Sequence, residues 1–508
     1  MKGVRARAAL VVLAVAARVA AIVVLQSHLV PRSTYEHGEI ASNLIAGRGF
    51  SVMFLGVDGP TSQQAPIYPA LLAVAYAIGG DGTPTALLLM QLAQAVLGGL
   101  LVWETMALAA RIFDGKVAPT LLAGAIVAVQ PTLVYSATHI QVAGLAALLT
   151  VSTLSRGYRA AETGRGSDAI LTGLVFGLLL LTDPILGLVL PGVFLAIARV
   201  RGLAGAVRSI AVVGVVASVV VAPWIVRNHR VHGELVFVKS TFGYAFWQGN
   251  CALSEGTDKV VRASVEAKLA GPSASLADMN ARLWEARHEA GYLDDIALTR
   301  ADRRMLATLS EPERSRVLFR RALADLANDP LRYPRLCLRR LRYFFLFDET
   351  NPKTRNAVYR ISIIGLTATA LVGLAAMPRP VRRRVVPLLW TIGSVALFHS
   401  LTIVSARFHV PIEPLFAILA GGIATRFRYG SAPATDDVEG VGVEGSVLVS
   451  MGHRRRSLDD SRFVPERHRS MSEHGAANDP REPDHSAGDV EPLRFVGVER
   501  FGGDQCDL

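Results

Sequence analysis

Apolar residues in this chain fall in long blocks, not at the regular intervals of a soluble core. The first block, Arg7–His28, is followed by Thr83–Ile112, Val117–Tyr135, His139–Ser155, Ala169–Thr182, Ile185–Ala198, Ile210–Ile225, Val358–Met377, Val385–Val404 and Phe408–Thr425. Most run to roughly 15 to 25 residues, enough for a helix to cross about 30 Å of hydrocarbon. Backbone groups inside hydrocarbon must satisfy one another, so blocks of this kind predict helices that span a membrane. The pattern predicts an all-α polytopic membrane protein with about ten transmembrane helices. A shorter apolar piece, Ala65–Gly79, is too brief to span and reads as re-entrant or interfacial. The first block lacks a small-x-small cleavage site and reads as an uncleaved span.

Two stretches break this pattern. Arg227–Asn356 is the one sizeable non-membrane body with helical periodicity, notably over Pro312–Asn328. Within it, the stretch LRYPRLCLRRLRYFFLF from Leu331 mixes arginine with aromatic and aliphatic residues, as interfacial helices do. Beyond residue 426 the apolar blocks stop and Gly, Ser, Asp, Arg and Pro dominate. The organisation expected is a transmembrane module with a first outer loop (1–226), one large extracytoplasmic loop (227–356), further spans (357–426) and a disordered cytoplasmic tail (427–508).

Charge supplies the orientation. Lys2, Arg5 and Arg7, then Arg156–Arg165, Arg199–Arg208 and Pro378–Arg384, occupy alternate connections. A bias of Lys and Arg in short loops marks the cytoplasmic side, so both termini are expected there, in a cell membrane. Residues 31–82, the short turns near Thr138 and Asp183, and the 227–356 loop then lie outside. The chain is 51% hydrophobic and only 19% charged, with a formal charge of +11. Its cations sit in loops between spans, which fits anionic membrane lipid and argues against nucleic acid as a partner. Cys251, Cys337 and Cys506 make neither a disulfide framework nor a zinc site. Pairing of Cys251 with Cys337 in the outer loop is left open.

The first outer loop carries candidate chemistry in YEHGEIASNLIAGRGFS, Tyr35–Ser51. Glu36 and Glu39 are three apart and share a face of a helical turn. Either is an acceptor for a hydroxyl proton at neutral pH. The alternative reading is a helix start, with an acidic first turn favoured by the dipole.

Three motifs in order resemble the membrane glycosyltransferases of the GT-C type, in particular the protein O-mannosyltransferase and aminoarabinose-transferase branch. They are Ile40-Ala41-x-Asn43-Leu44-x-x-Gly47-x-Gly49-Phe50-Ser51 with APIYPALLA (Ala65–Ala73), then APWIVRNHRVHG (Ala222–Gly233) with FGYAFWQGN (Phe242–Asn250), and ARFHVPIEPLFAILA (Ala406–Ala420). The resemblance covers residues 8–426.

It implies a GT-C-like fold and transfer of a sugar from a polyprenyl-phosphate donor to an acceptor hydroxyl outside the cell membrane, with inversion. Glu36 or Glu39 would be the base, Glu36 standing nearer the family's position. Arg407, with Arg227, would hold the donor phosphate, a guanidinium being a planar fork that matches it. His37, Tyr68, Asn228, Trp247 and Asn250 would line the substrates. For Arg407 and Arg227 the competing role is an interfacial anchor, and for Trp247 a place in the aromatic belt. Relatives often have aspartate in the first loop and an acid in the second, where this chain has His139 and Gln141; Asp183 is a second acidic candidate or a helix cap. No cofactor and no metal site follow from these residues; use of a divalent cation is left open, the missing acid of the second loop leaning against it. A transporter or lipid flippase, or a non-catalytic scaffold for envelope synthesis, are the other classes. Charges inside spans are scarce, chiefly Arg18 and Glu104, and no internal repeat is evident, which weighs against coupled transport.

Overall fold

The computed structural model describes residues 2–30, 33–259, 274–289 and 293–426. The expected tail and Cys506 lie outside the described residues. Among the described residues the regular structure is helical. Two isolated antiparallel bridges, Ser51 to Pro60 and Phe54 to Val57, pin the first long connection.

The helices in chain order are α1 (Lys2–Leu25), α2 (Tyr35–Ile45), α3 (Ile67–Gly79), α4 (Pro84–Ile112), α5 (Val117–Val129), α6 (Pro131–Ser136), α7 (Ala143–Thr163), α8 (Gly166–Leu180), α9 (Leu190–His232) and α10 (Phe242–Asn250). There follow α11 (Leu276–Glu289), α12 (Leu293–Ala297), α13 (Arg300–Ala307), α14 (Glu311–Asn328), α15 (Arg332–Phe345), α16 (Ala357–Ala376), α17 (Arg379–Arg384), α18 (Val386–Leu401) and α19 (Glu413–Gly421). By length and composition, four helical stretches are apolar enough to cross a bilayer: Gly3–Leu25, Pro84–Ile112, Pro184–His232 and Ala357–Ala376. Shorter apolar helices, α3, α5, α8 and α18, accompany them.

Three boundaries differ from expectation, each for a local reason. The block Val117–Tyr135 is not one helix. Pro131 has no N–H to give Val127, so α5 ends and α6 restarts. The freed carbonyls of Val127 and Ala128 take the guanidinium of Arg18, at 3.3 and 3.1 Å. Arg18 is 1% exposed, and Gly98 makes room for it. The arginine inside the first block is therefore the cap of a broken helix. Arg199–Arg208, expected as a loop between two spans, is helical within α9 and interrupted only at Gly202, whose φ of 72° and ψ of 176° give the bend. In the final block, Phe408 lies in a turn and the α-helix begins only at Glu413.

The bundle has two chemically different ends. At one, the arginine-rich connections meet: Arg201 donates to the carbonyls of Ala161 and Glu162, Tyr158 to that of Arg384, and Arg384 pairs with Asp114. Glu104 lies 3.4 Å from Arg156. At the other end, residues 33–66 pack on the segment after α9 and on α10 and α14, around a second apolar core that includes Ile40, Phe54, Trp247 and Leu318. Helices α14 and α15 match the two helical stretches expected in the large loop. Cys251 and Cys337 are both free thiols.

Candidate active site

Helix α2 is tied tightly to its neighbours. A Cβ on Gly38 would meet Thr34 Oγ1 at 2.1 Å, so only glycine fits. Beyond the helix, Gly47 and Gly49 adopt φ of 74° and 72°, and Asn43 holds the returning chain by donating to the Ser51 carbonyl at 2.8 Å. The motif from Asn43 to Ser51 is thus a folded turn. It leaves Glu36 in the first turn of α2, half-buried, while Glu39 is exposed.

The two carboxylates differ in their commitments. Glu39 accepts the Met53 backbone N–H at 2.6 Å. Among the described residues Glu36 makes no hydrogen bond or ion pair. Its charge acts on Lys239, a half-buried lysine on the segment between α9 and α10 whose Nζ lies 3.3 Å from Gln64 Oε1. Burial pushes the Lys239 ammonium below its usual range; Asp183 and Glu36 oppose that, and Arg407 adds to it. Asp183 caps the turn before α9 by accepting from Ile185 N at 3.2 Å, the second of its two expected roles. It also lies in the field of the same cations: burial pushes its carboxyl up, while Lys239, the cap bond and Arg407 pull it down. Arg407 is exposed, its guanidinium 5.6 Å from the ring of Phe408, with no ion pair or hydrogen bond among the described residues. His37 completes the group. Burial, reinforced by Arg407 and Lys239, pushes it down to about 3, so its ring is neutral. It packs edge-on against Tyr68 at 4.9 Å.

Three distant parts of the chain, Glu36 with His37, Asp183, and Arg407, thus share one electrostatic neighbourhood around Lys239. Lys239 is the member that sequence reasoning missed. Its only signal was rarity: it is one of six lysines in a chain that otherwise uses arginine. A cleft of about 420 Å³ opens beside it, walled by Phe237, Phe242, Phe319, Arg316 and Arg320.

The other candidates are committed to the fold. Arg227 donates to the carbonyls of Thr61 (2.6 Å) and Phe50 (2.8 Å) and stacks over Trp224, locking the first outer loop onto α9. Asn228 is fully buried; it accepts from Ser62 Oγ and donates toward the carbonyls of residues 236–238. Trp247, 1% exposed, sits in the second core and not in an aromatic belt. Asn250 donates to Phe246 and Thr402 and accepts from the buried Arg340. Tyr68 donates to Gln94 at 2.7 Å and accepts the Gln141 N–H at 2.6 Å, which ties the first outer loop to the second. A buried carboxylate, Glu311, also went unread. It accepts from Ser62 N at 2.8 Å, and from the hydroxyls of Thr61 and Ser240, beside Lys239. Among the described residues no three His, Cys, Asp or Glu side chains converge as metal ligands.

The profile of the dolichyl-phosphate-mannose-protein mannosyltransferase family matches residues 63–226, from within the first outer loop to Arg227's neighbour in α9. Over those residues this chain is similar to that family. The resemblance to lipid-linked-sugar transferases read from the motifs therefore meets an independent match. No curated protein sequence matches the chain. Among solved structures, the apo oligosaccharyltransferase of Archaeoglobus fulgidus aligns with a TM-score of 0.48 and 13% identity, over 82% of this chain and 50% of its own. The chain thus spans about half the length of that enzyme. ArnT from Cupriavidus metallidurans, bound to undecaprenyl phosphate, aligns with a TM-score of 0.36 and 16% identity, over 83% of this chain and 77% of its own.

Proposed function

We propose that this protein is a membrane glycosyltransferase that moves a sugar from a polyprenyl-phosphate donor to an acceptor hydroxyl, with inversion. The observation that carries this reading is Glu36, a carboxylate with no hydrogen bond or ion pair among the described residues, whose charge acts on Lys239 together with that of Arg407. The match to a family named for a dolichyl-phosphate sugar points to the same donor class.

In this scheme the acceptor oxygen attacks the anomeric carbon as its proton passes to Glu36. The bond from that carbon to the phosphate oxygen breaks, and polyprenyl phosphate leaves with the electron pair. Negative charge grows on the phosphate as it departs, and fixed cations aimed at that oxygen stabilise the transition state. Lys239 and Arg407 take this part. Arg227 does not, since both its terminal nitrogens serve loop carbonyls. Glu39 is the weaker candidate for the base, because the Met53 N–H already takes one of its carboxylate oxygens. Buried, neutral His37 packs on Tyr68 and has no part in the proton transfer. The site lies at the end of the bundle away from the arginine-rich connections, which by the charge rule is the extracytoplasmic side.

The test is transfer from radiolabelled polyprenyl-phosphate sugars in membranes. A positioned base is worth about 10²- to 10⁴-fold, so Glu36→Gln should lose at least that lower figure. Glu39→Gln should keep most of the activity. Wild-type transfer by Glu36→Gln would eliminate the mechanism.

A further inference from the structure

The turn that carries Arg407 is braced from below by groups the proposed reaction does not use. It runs from Ser405 to Ile412 and is closed by Phe408 N to Ser405 O at 3.0 Å and Ile412 N to His409 O at 3.0 Å. Beneath it lie His409, 4% exposed, and Glu413, 2% exposed. His409 Nδ1 is 2.8 Å from Glu413 Oε1, and its Nε2 is 2.8 Å from the hydroxyl of Tyr359. That hydroxyl donates at 3.2 Å to the carbonyl of Ala406, the residue before Arg407. Glu413 is held in turn by the hydroxyl of Thr132 in α6.

The contacts run in one chain from Glu413 through His409 and Tyr359 to the Ala406 carbonyl. Polar groups buried this deeply add little net stability, because desolvation offsets their attraction. What such a buried polar network supplies is a restricted geometry.

We propose that Glu413, His409 and Tyr359 are positioning residues that fix the Ala406–Arg407 peptide, and so aim the Arg407 guanidinium at the donor phosphate. This rests on the reading of Arg407 as a phosphate ligand.

The experiment is a double-mutant cycle on the binding of undecaprenyl phosphate to the full chain in phosphatidylcholine nanodiscs, using Tyr359→Phe, Arg407→Gln and the double variant. Thermal unfolding in the same discs reports whether each variant is folded. Losing a hydrogen bond to a charged group predicts about a tenfold or greater weakening for Arg407→Gln. A smaller loss is expected for Tyr359→Phe. If the brace acts through Arg407, the double variant binds no more weakly than Arg407→Gln, because the two share one interaction. Additive losses would mean that Tyr359 acts elsewhere and would overturn the proposal. Unchanged binding by Tyr359→Phe would overturn it too, while leaving the Arg407 reading intact. Unchanged binding by Arg407→Gln would remove that reading and the brace with it. Should Tyr359→Phe not fold, Thr132→Val, which releases Glu413 from the opposite side, enters the same cycle with the same outcomes.

Discussion

Asp348 offers a stability test of the large outer loop that does not depend on any substrate. It lies between α15 and α16, 1% exposed, with Oδ1 accepting from the backbone N–H of Thr350 at 2.9 Å and its hydroxyl at 2.6 Å. Burial pushes this carboxyl from 3.8 up to about 7; the Thr350 bonds and Lys259 resist the rise, and Asp258 adds to it. Between those two values the folded protein keeps a proton that the unfolded chain has released. Stability attributable to Asp348 is therefore greatest below about pH 4, falls as pH rises, and levels off above about pH 7. A displacement of roughly three pKa units corresponds to about 4 kcal/mol over that window, as an order of magnitude. Asp348→Asn keeps an acceptor for Thr350 and removes the titration. The wild-type profile alone does not isolate the effect. His37, pushed down to about 3, is charged in the unfolded chain and neutral in the fold between about pH 3 and 6.5, so its contribution slopes the opposite way. The decisive quantity is the difference between variant and wild type, from unfolding in detergent at several pH values from 4.5 to 8. The variant should gain on the wild type steadily as pH rises and stop gaining above about 7. A difference that is flat across that range, or that shrinks with rising pH, refutes the argument.

Two further outcomes are expected. Lys239→Gln should raise the donor KM by about tenfold or more, the worth of a charge-assisted contact, with little change in thermal stability; an unchanged KM would take Lys239 out of the phosphate site. Gly98→Ala should lower thermal stability markedly, because its Cβ would stand 2.1 Å from Arg18 Nε. Displacing Arg18 strands the carbonyls of Val127 and Ala128, at about 1–3 kcal/mol for each buried group left unpaired. An undisturbed melting temperature would show that Arg18 does not cap α5.

The membrane blocks were legible because lipid imposes one rule on every residue of a span, and composition alone reports it. The arginine bias was legible for the same reason, although Arg199–Arg208, read as a connection, lies within α9. What composition could not show was the direction in which a polar side chain points. Arg227 and Arg407 look alike in sequence, each a guanidinium where a span meets an outer loop. They part company because Arg227 stands beside the first outer loop and donates to the carbonyls of Thr61 and Phe50, the latter also accepting the Thr61 N–H at 3.1 Å. Loop carbonyls turned inward need donors, and a guanidinium beside them is drawn into that task. Arg407 has no such debt beside it. Asn228 and Asn250 were drawn into the fold by the same demand, which is why a motif rich in amides turned out to hold loops together. Lys239 shows the converse. Nothing periodic surrounds it, and its meaning arises only when Ser240 N meets the Ser62 carbonyl, which brings residues 239 and 64 together. A cation left over after the backbone has been satisfied is the one free to meet a ligand, and telling the two kinds apart requires the contacts of the carbonyls as much as those of the cations.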